Sequence, residues 1–204
     1  MTEFTTEKKA QSKKHFAKRE KTGRIRTGEL SFSETEFKRI LSACETMQDE
    51  VMLKIGVTLG LRRDDMVRLL VENVDFKDHV LKYVEKKKHG AIRVKMMEPE
   101  LERSLKMYIN SLEEGTKYLF PYGKSKYGDR SLWNRLNDLC DKAQVKGREF
   151  HALRSTCVKF HQKAGWRPEE TAELINDSVQ VVLLHYATPS TSELNELTVT
   201  KSIL

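Results

Sequence analysis

The stretch "LLHYAT" closes an apolar run on Tyr186. A tyrosine hydroxyl held at a helix end can serve as a nucleophile. Four other groups have types suited to work with it on a phosphate. In "TLGLRRDDMVRL", Gly60 is expected to end a helix, which puts Arg62 and Arg63 at a junction. An acid one turn on, such as Asp65, could then aim a guanidinium at an anion. Lys86, Lys87, Lys88 and His89 crowd an expected hairpin tip, from which one ammonium could reach into a DNA groove. In "HALRST", His151 and Arg154 share a helical face and can reach one phosphate together. Asp177, in "LIND", precedes the tyrosine on the same approach. Taken singly, each has a plainer explanation: a core tyrosine, a paired surface Arg, lysines guarding a sheet edge, a capping His.

Other chemistries lack their motifs. There is no GxGxxG, P-loop, HExxH or GxSxG pattern. The acids Asp64 and Asp65 are adjacent on a helix and face different ways. Cys44, Cys140 and Cys157 are far apart and show no zinc spacing. They read as reduced, mostly buried thiols in a reducing compartment. No metal, nucleotide or other cofactor is therefore expected.

Elements must position these groups. "LSFSETEFKRILSAC" opens the fold: Ser33 and Glu36 form a capping-box pattern, and Phe37, Ile40, Leu41 and Cys44 make an apolar stripe. Further helices are expected over about 50–59 and 63–70. "VDFKDHVLKYVEKKKHGAIRVKM" then alternates, predicting two strands around a Lys-Lys-Lys-His-Gly turn. Helices follow over about 100–112, 130–143, 151–164, 168–176 and 179–186, with "FPYGKSKYG" as a loop. Leu194, Leu197 and Val199 suit a short amphipathic C-terminal helix. The fold class is mainly α with a small antiparallel β-sheet (α+β).

Charge is uneven. The chain of 204 residues carries +7, with 33% charged and 38% apolar residues. Residues 1–28 hold nine Lys/Arg against three Glu, or +6, leaving +1 for the rest. Residues 1–30 are expected to be a flexible basic arm, in which Lys13, Lys14, Lys18, Arg19, Arg24 and Arg26 suit a polyanion. The catalytic domain would span 31–190, and 191–204 a tail packing in cis or in trans. No apolar run reaches 18 residues and the N-terminus lacks a secretory pattern, so neither a transmembrane helix nor a signal is expected.

As a set, Arg62, Lys88, His151-x-x-Arg154 and Tyr186, in that order, resemble the catalytic domain of tyrosine recombinases, the phage-integrase and Xer-like family. "SFSETEFKRIL" resembles its opening helix, "TLGLRRDDMVRL" its TGLRxxEL box with Asp65 in place of Glu, "KKKHGAIRVKM" its lysine hairpin, and "HALRSTCVKFHQKAGWRPEETAELI" its HxLRxT helix and following turn. The resemblance covers about 31–186. It implies a site-specific recombinase, integrase-like, that cleaves and rejoins double-stranded DNA without metal or ATP. By this resemblance Tyr186 is the nucleophile, Arg62 and Arg154 hold the phosphate, Lys88 protonates the leaving oxygen, and His151 assists proton transfer. It further implies self-association on DNA as a tetrameric synapse, with a free monomer, in the cytoplasm beside the nucleoid of a host of a virus or mobile element. Phenols ionise near pH 10, so such a nucleophile needs a positive, preorganised site, and paired guanidiniums supply one.

Two departures from the family pattern stand out. Asp177 occupies the position of a His or Trp that donates to the phosphate. A displaced or missing donor is expected there; Asp177 could instead be protonated, orient an arginine, or leave the donor's part to Asn176 or His185. The family's helical core-binding domain also has no counterpart in the basic stretch before Ser31, which suits either a fragment or a minimal enzyme. These departures keep two other readings open: a DNA-binding module of the same fold with impaired catalysis, and a type IB topoisomerase-like relaxing enzyme.

Overall fold

A computed structural model describes residues 30–85, 90–122, 125–126, 129–186, 189 and 191–201. The expected basic arm, with Lys13, Lys14, Lys18, Arg19, Arg24 and Arg26, and the hairpin-tip residues Lys86, Lys87, Lys88 and His89 lie outside the described residues.

The first helix, α1 (Glu34–Ser42), starts at the expected capping box, with Ser33 and Glu36 bonding each other's backbone, and buries Phe37 and Ile40. The next, α2 (Met47–Thr58), begins three residues before its expected start because Thr46 and Asp49 close a second capping box. Asp replaces the usual Glu or Gln at the third position, so the sequence signal is weak. Its Val51, Met52, Leu53, Ile55 and Val57 are buried on all sides. Each such side chain contributes about 1.5–3 kcal/mol on burial, so packing outweighs the cap, worth about 1 kcal/mol.

The helix expected over 63–70 is only one turn, α3 (Arg63–Met66). Beyond it the chain extends to pair with another segment: Leu119 N–H donates to Leu69 O at 2.9 Å and Val71 N–H to Lys117 O at 3.0 Å. Strand β1 (Val74–Asp75) follows and pairs antiparallel with β2 (Val80–Glu85), which pairs with β3 (Ala91–Met96). The hairpin is as expected, and β1 is an addition.

The register places Leu81 opposite Lys95, Tyr83 opposite Arg93 and Glu85 opposite Ala91. Directly opposed residues share a sheet face. This inner face thus runs from apolar Leu81 to charged Glu85 and Lys95, and both ions are buried. The other face exposes Val84, Ile92, Val94 and Met96. The alternation is the expected one, but its polarity is inverted: the sheet turns its ionic side inward.

Helix α4 (Pro99–Asn110), the short pair β4 (Pro121–Tyr122) and β5 (Ser125–Lys126), and α5 (Asp129–Lys142) lead to α6 (His151–Lys163). Helix α6 is buried along Ala152, Leu153, Cys157 and Val158 and packs on α2. Helix α7 (Pro168–Ile175) ends at Asn176 in the left-handed conformation. Ser178 then caps α8 (Val179–Val181), which widens into a π-type turn over Val182–Tyr186. A final helix, α9 (Thr191–Thr200), leaves Leu194 and Val199 exposed. Cys44, Cys140 and Cys157 are free thiols, with Cys140 and Cys157 buried. Among the described residues, no helix is long and apolar enough to cross a membrane.

Gly60, between α2 and α3, has φ +62°, and an added Cβ would stand 2.8 Å from Ile175 Cγ2. Gly60→Ala is expected to cost about 1–3 kcal/mol of stability, read from the denaturant midpoint.

Candidate active site

Arg62 caps the start of α3, and its guanidinium spans two distant carboxylates. One nitrogen donates to Glu85 at the end of β2. The other donates to Asp177 Oδ2 at 3.0 Å, across 115 residues of sequence. Asp65 was the acid expected to hold this arginine; these two perform that part. Glu85 is fully buried and also accepts from Arg93 Nε at 3.0 Å. It was missed in the sequence because an acid at a strand end beside a lysine run looks like an ordinary solvated charge.

Arg154 projects from α6 into the interior and is 2% exposed. It donates to Gly60 O at 2.6 Å, Ile175 O at 2.6 Å and Asp177 Oδ2 at 2.9 Å. Its terminal nitrogens thus tie the end of α2 to the end of α7. One carboxylate oxygen sits between both arginines. These are short, charge-assisted bonds.

His151, at the first turn of α6, directs Nε2 to Tyr186 Oη at 2.8 Å. It therefore faces the tyrosine, while Arg154 from the same helix faces Asp177. The two rings lie 5.7 Å apart at 36°. The π-type turn explains the tyrosine's placement: Val182 and Tyr186 are both buried, and Leu183, Leu184 and His185 between them are exposed. Leu183, next to Val182 in the same apolar run, points to solvent. A widened turn re-aims the residues that follow it and recurs at functional sites. Arg62 and His151 open onto one cleft of about 700 Å³, lined also by Phe150, Trp133 and Glu149.

Beneath the site lies Lys95, 5% exposed, which donates to Leu174 O at the end of α7. With its amide oxygen turned inward, Asn176 accepts from Lys95 Nζ at 3.0 Å and Tyr83 Oη at 2.8 Å. Asn176 is thereby committed to holding the loop, and His185 is exposed. Burial, reinforced by Arg154, pushes the Lys95 ammonium down to about 8. An unfolded lysine titrates near 10.4, so between about pH 8 and 10.4 the unfolded chain binds more protons and stability rises with pH. Below about pH 8 the cost of the buried ammonium is fully present. Burial raises the thiols of Cys44 and Cys157 to about 12, which removes stability as pH climbs above about 8.5. The comparison with Lys95→Met isolates the lysine: the wild-type midpoint should gain relative to the variant between pH 8 and 10.4. A constant difference would rule out the buried charge as its source.

The phage integrase family model matches residues 31–191. A tyrosine recombinase XerA of Saccharolobus solfataricus is 26% identical over 135 residues, covering 66% of this chain and 44% of that protein. The chain thus spans less than half the length of this relative. The crystal structure of XerA recombinase superposes with a TM-score of 0.73 at 20% identity, over 85% of this chain and 66% of that one. The structure of XerH site-specific recombinase bound to palindromic difH substrate, a post-cleavage complex, gives 0.67 at 14% identity, over 85% and 53%.

Proposed function

The chain belongs to the phage integrase family of tyrosine recombinases, and on that premise we propose that it breaks and rejoins double-stranded DNA at a specific site through a covalent bond to Tyr186. The observation that carries the reading is the Tyr186 hydroxyl 2.8 Å from His151 Nε2, with His151 and Arg62 lining one cleft. With the imidazole proton on Nδ1, Nε2 accepts from the phenol and can take its proton. The phenolate oxygen then attacks phosphorus. The O–P bond to Tyr186 forms, the bond from phosphorus to the 5′-oxygen breaks, and a 3′-phosphotyrosyl end remains.

Arg62 and Arg154 stabilise the charge that grows on the non-bridging oxygens. Lys88 is assigned the proton for the departing 5′-oxygen. The phosphotyrosyl bond conserves the energy of the broken linkage, so rejoining by a 5′-hydroxyl is the reverse reaction. Lys86, Lys87, His89 and the basic residues of 1–28 are assigned to DNA phosphates, contacts that give affinity with little sequence choice. The likeness to the XerH recombinase bound to its difH substrate supports DNA as the partner. A tetrameric synapse on DNA belongs to the same proposal.

The test is a suicide DNA substrate that loses a short fragment after cleavage. The expected product is a covalent protein–DNA adduct at Tyr186. DNA binding without any adduct favours the impaired binding module, which the Asp177 carboxylate between the two arginines would suit. Relaxation of supercoiled DNA with no site preference favours the topoisomerase-like alternative.

A further inference from the structure

We infer that Asp177 is a positioning residue that fills the phosphate-oxygen position between Arg62 and Arg154 until DNA displaces it; this rests on the proposed recombinase reading. One oxygen, Oδ2, receives Nη2 of Arg62 at 3.0 Å and Nη2 of Arg154 at 2.9 Å. That is where a non-bridging phosphate oxygen would sit if both guanidiniums held it. The charges match as well. A phosphodiester carries one negative charge, as does the carboxylate, so exchanging one for the other leaves the local charge unchanged.

The remaining bonds show what the carboxylate does while it is there. Arg62 is anchored on its other side by Glu85, and Arg154 by Gly60 O and Ile175 O. Both guanidiniums are therefore fixed from behind, and Asp177 bridges their front nitrogens. Without a bridging anion, two adjacent cations would repel and splay. The carboxylate keeps them in register before the substrate arrives, at the cost of competing with it.

The loop is built for the exchange. Asp177 is 20% exposed at its side chain. Its backbone N–H is held by Ala172 O at 3.0 Å. It stands between Asn176, which closes α7, and Ser178, which opens α8. The side chain can thus leave by rotation about its own bonds while the backbone stays capped on both sides.

The experiment uses inorganic phosphate and no DNA, titrated at fixed ionic strength against the full chain. Asp177→Asn should bind phosphate at least about ten times tighter than wild type, read from phosphate-dependent thermal stabilisation. Adding Arg62→Met to that variant should abolish the gain. Equal phosphate response in wild type and Asp177→Asn would overturn the inference. So would a gain that survives loss of Arg62. If Asp177→Asn does not fold, phosphate titration of wild type followed by amide resonances decides: shifts at Asp177 and Ser178 are expected, and their absence would also overturn it. The recombinase reading fails separately, on the absence of the Tyr186 adduct.

Discussion

Tyr186→Phe should bind DNA as well as the wild type and form no covalent adduct. The substitution removes one oxygen. That oxygen's bond to His151 contributes about 0.5–1.5 kcal/mol to stability, and the ring stays in the small core with Val182 and Ile175. The fold therefore survives. Chemistry does not, because the oxygen removed is the one placed against His151 Nε2. The loss in single-turnover cleavage should exceed about 10,000-fold, as for other enzymes stripped of a nucleophile. A variant with normal binding and normal adduct formation would show that the nucleophile lies elsewhere. His151→Ala gives the companion comparison: it leaves the phenol but removes its proton acceptor, worth about 100-fold or more.

The second large effect is expected at Glu85. This carboxylate is fully buried and holds Arg62 and Arg93 together at the end of β2. Glu85→Gln keeps the shape and removes the charge, leaving two guanidiniums around a neutral amide whose own N–H groups face donors. Breaking a buried ion pair by removing one partner costs about 3–5 kcal/mol. For a domain of this size that is roughly a 6–20 °C fall in melting temperature. Below the new melting temperature, cleavage should still fall at least about tenfold, because Arg62 has lost the anchor that aims it. A variant that is destabilised yet cleaves at the wild-type rate when folded would restrict Glu85 to a structural part. Because Arg62 and Arg93 share this one carboxylate, its loss should loosen Arg62 and the end of the β2–β3 pair together.

Much of the fold follows from short-range signals. The Ser33/Glu36 box starts α1, the alternation over 80–96 makes the hairpin, and the spacing of His151 and Arg154 puts both on α6. Each needs only neighbours within a few residues, so the chain's order alone carries it. The helix expected after Arg63 failed for the opposite reason: residues 69–71 prefer partners at 117–119, some fifty positions away. The inverted polarity of the sheet is of the same kind. Period-two alternation tells which residues share a face, and not which face meets the core.

The sequence by itself singled out the groups proposed to carry the chemistry: Arg62, Lys88, His151, Arg154 and Tyr186 stand out by type, order and local spacing. What tertiary structure decided is how the site is held. Asp177 looked like an acid misplaced beside a phosphate; in the fold it is the counter-ion shared by both arginines. Nothing in the basic hairpin's sequence marks Glu85 and Lys95 as interior; in the fold they are buried, one fixing Arg62 and the other the loop that carries Asp177. The physical reason is that burial of a charge is set by which distant groups pay its desolvation, and those partners, up to 115 residues apart, meet only when the helices and the sheet close on one another.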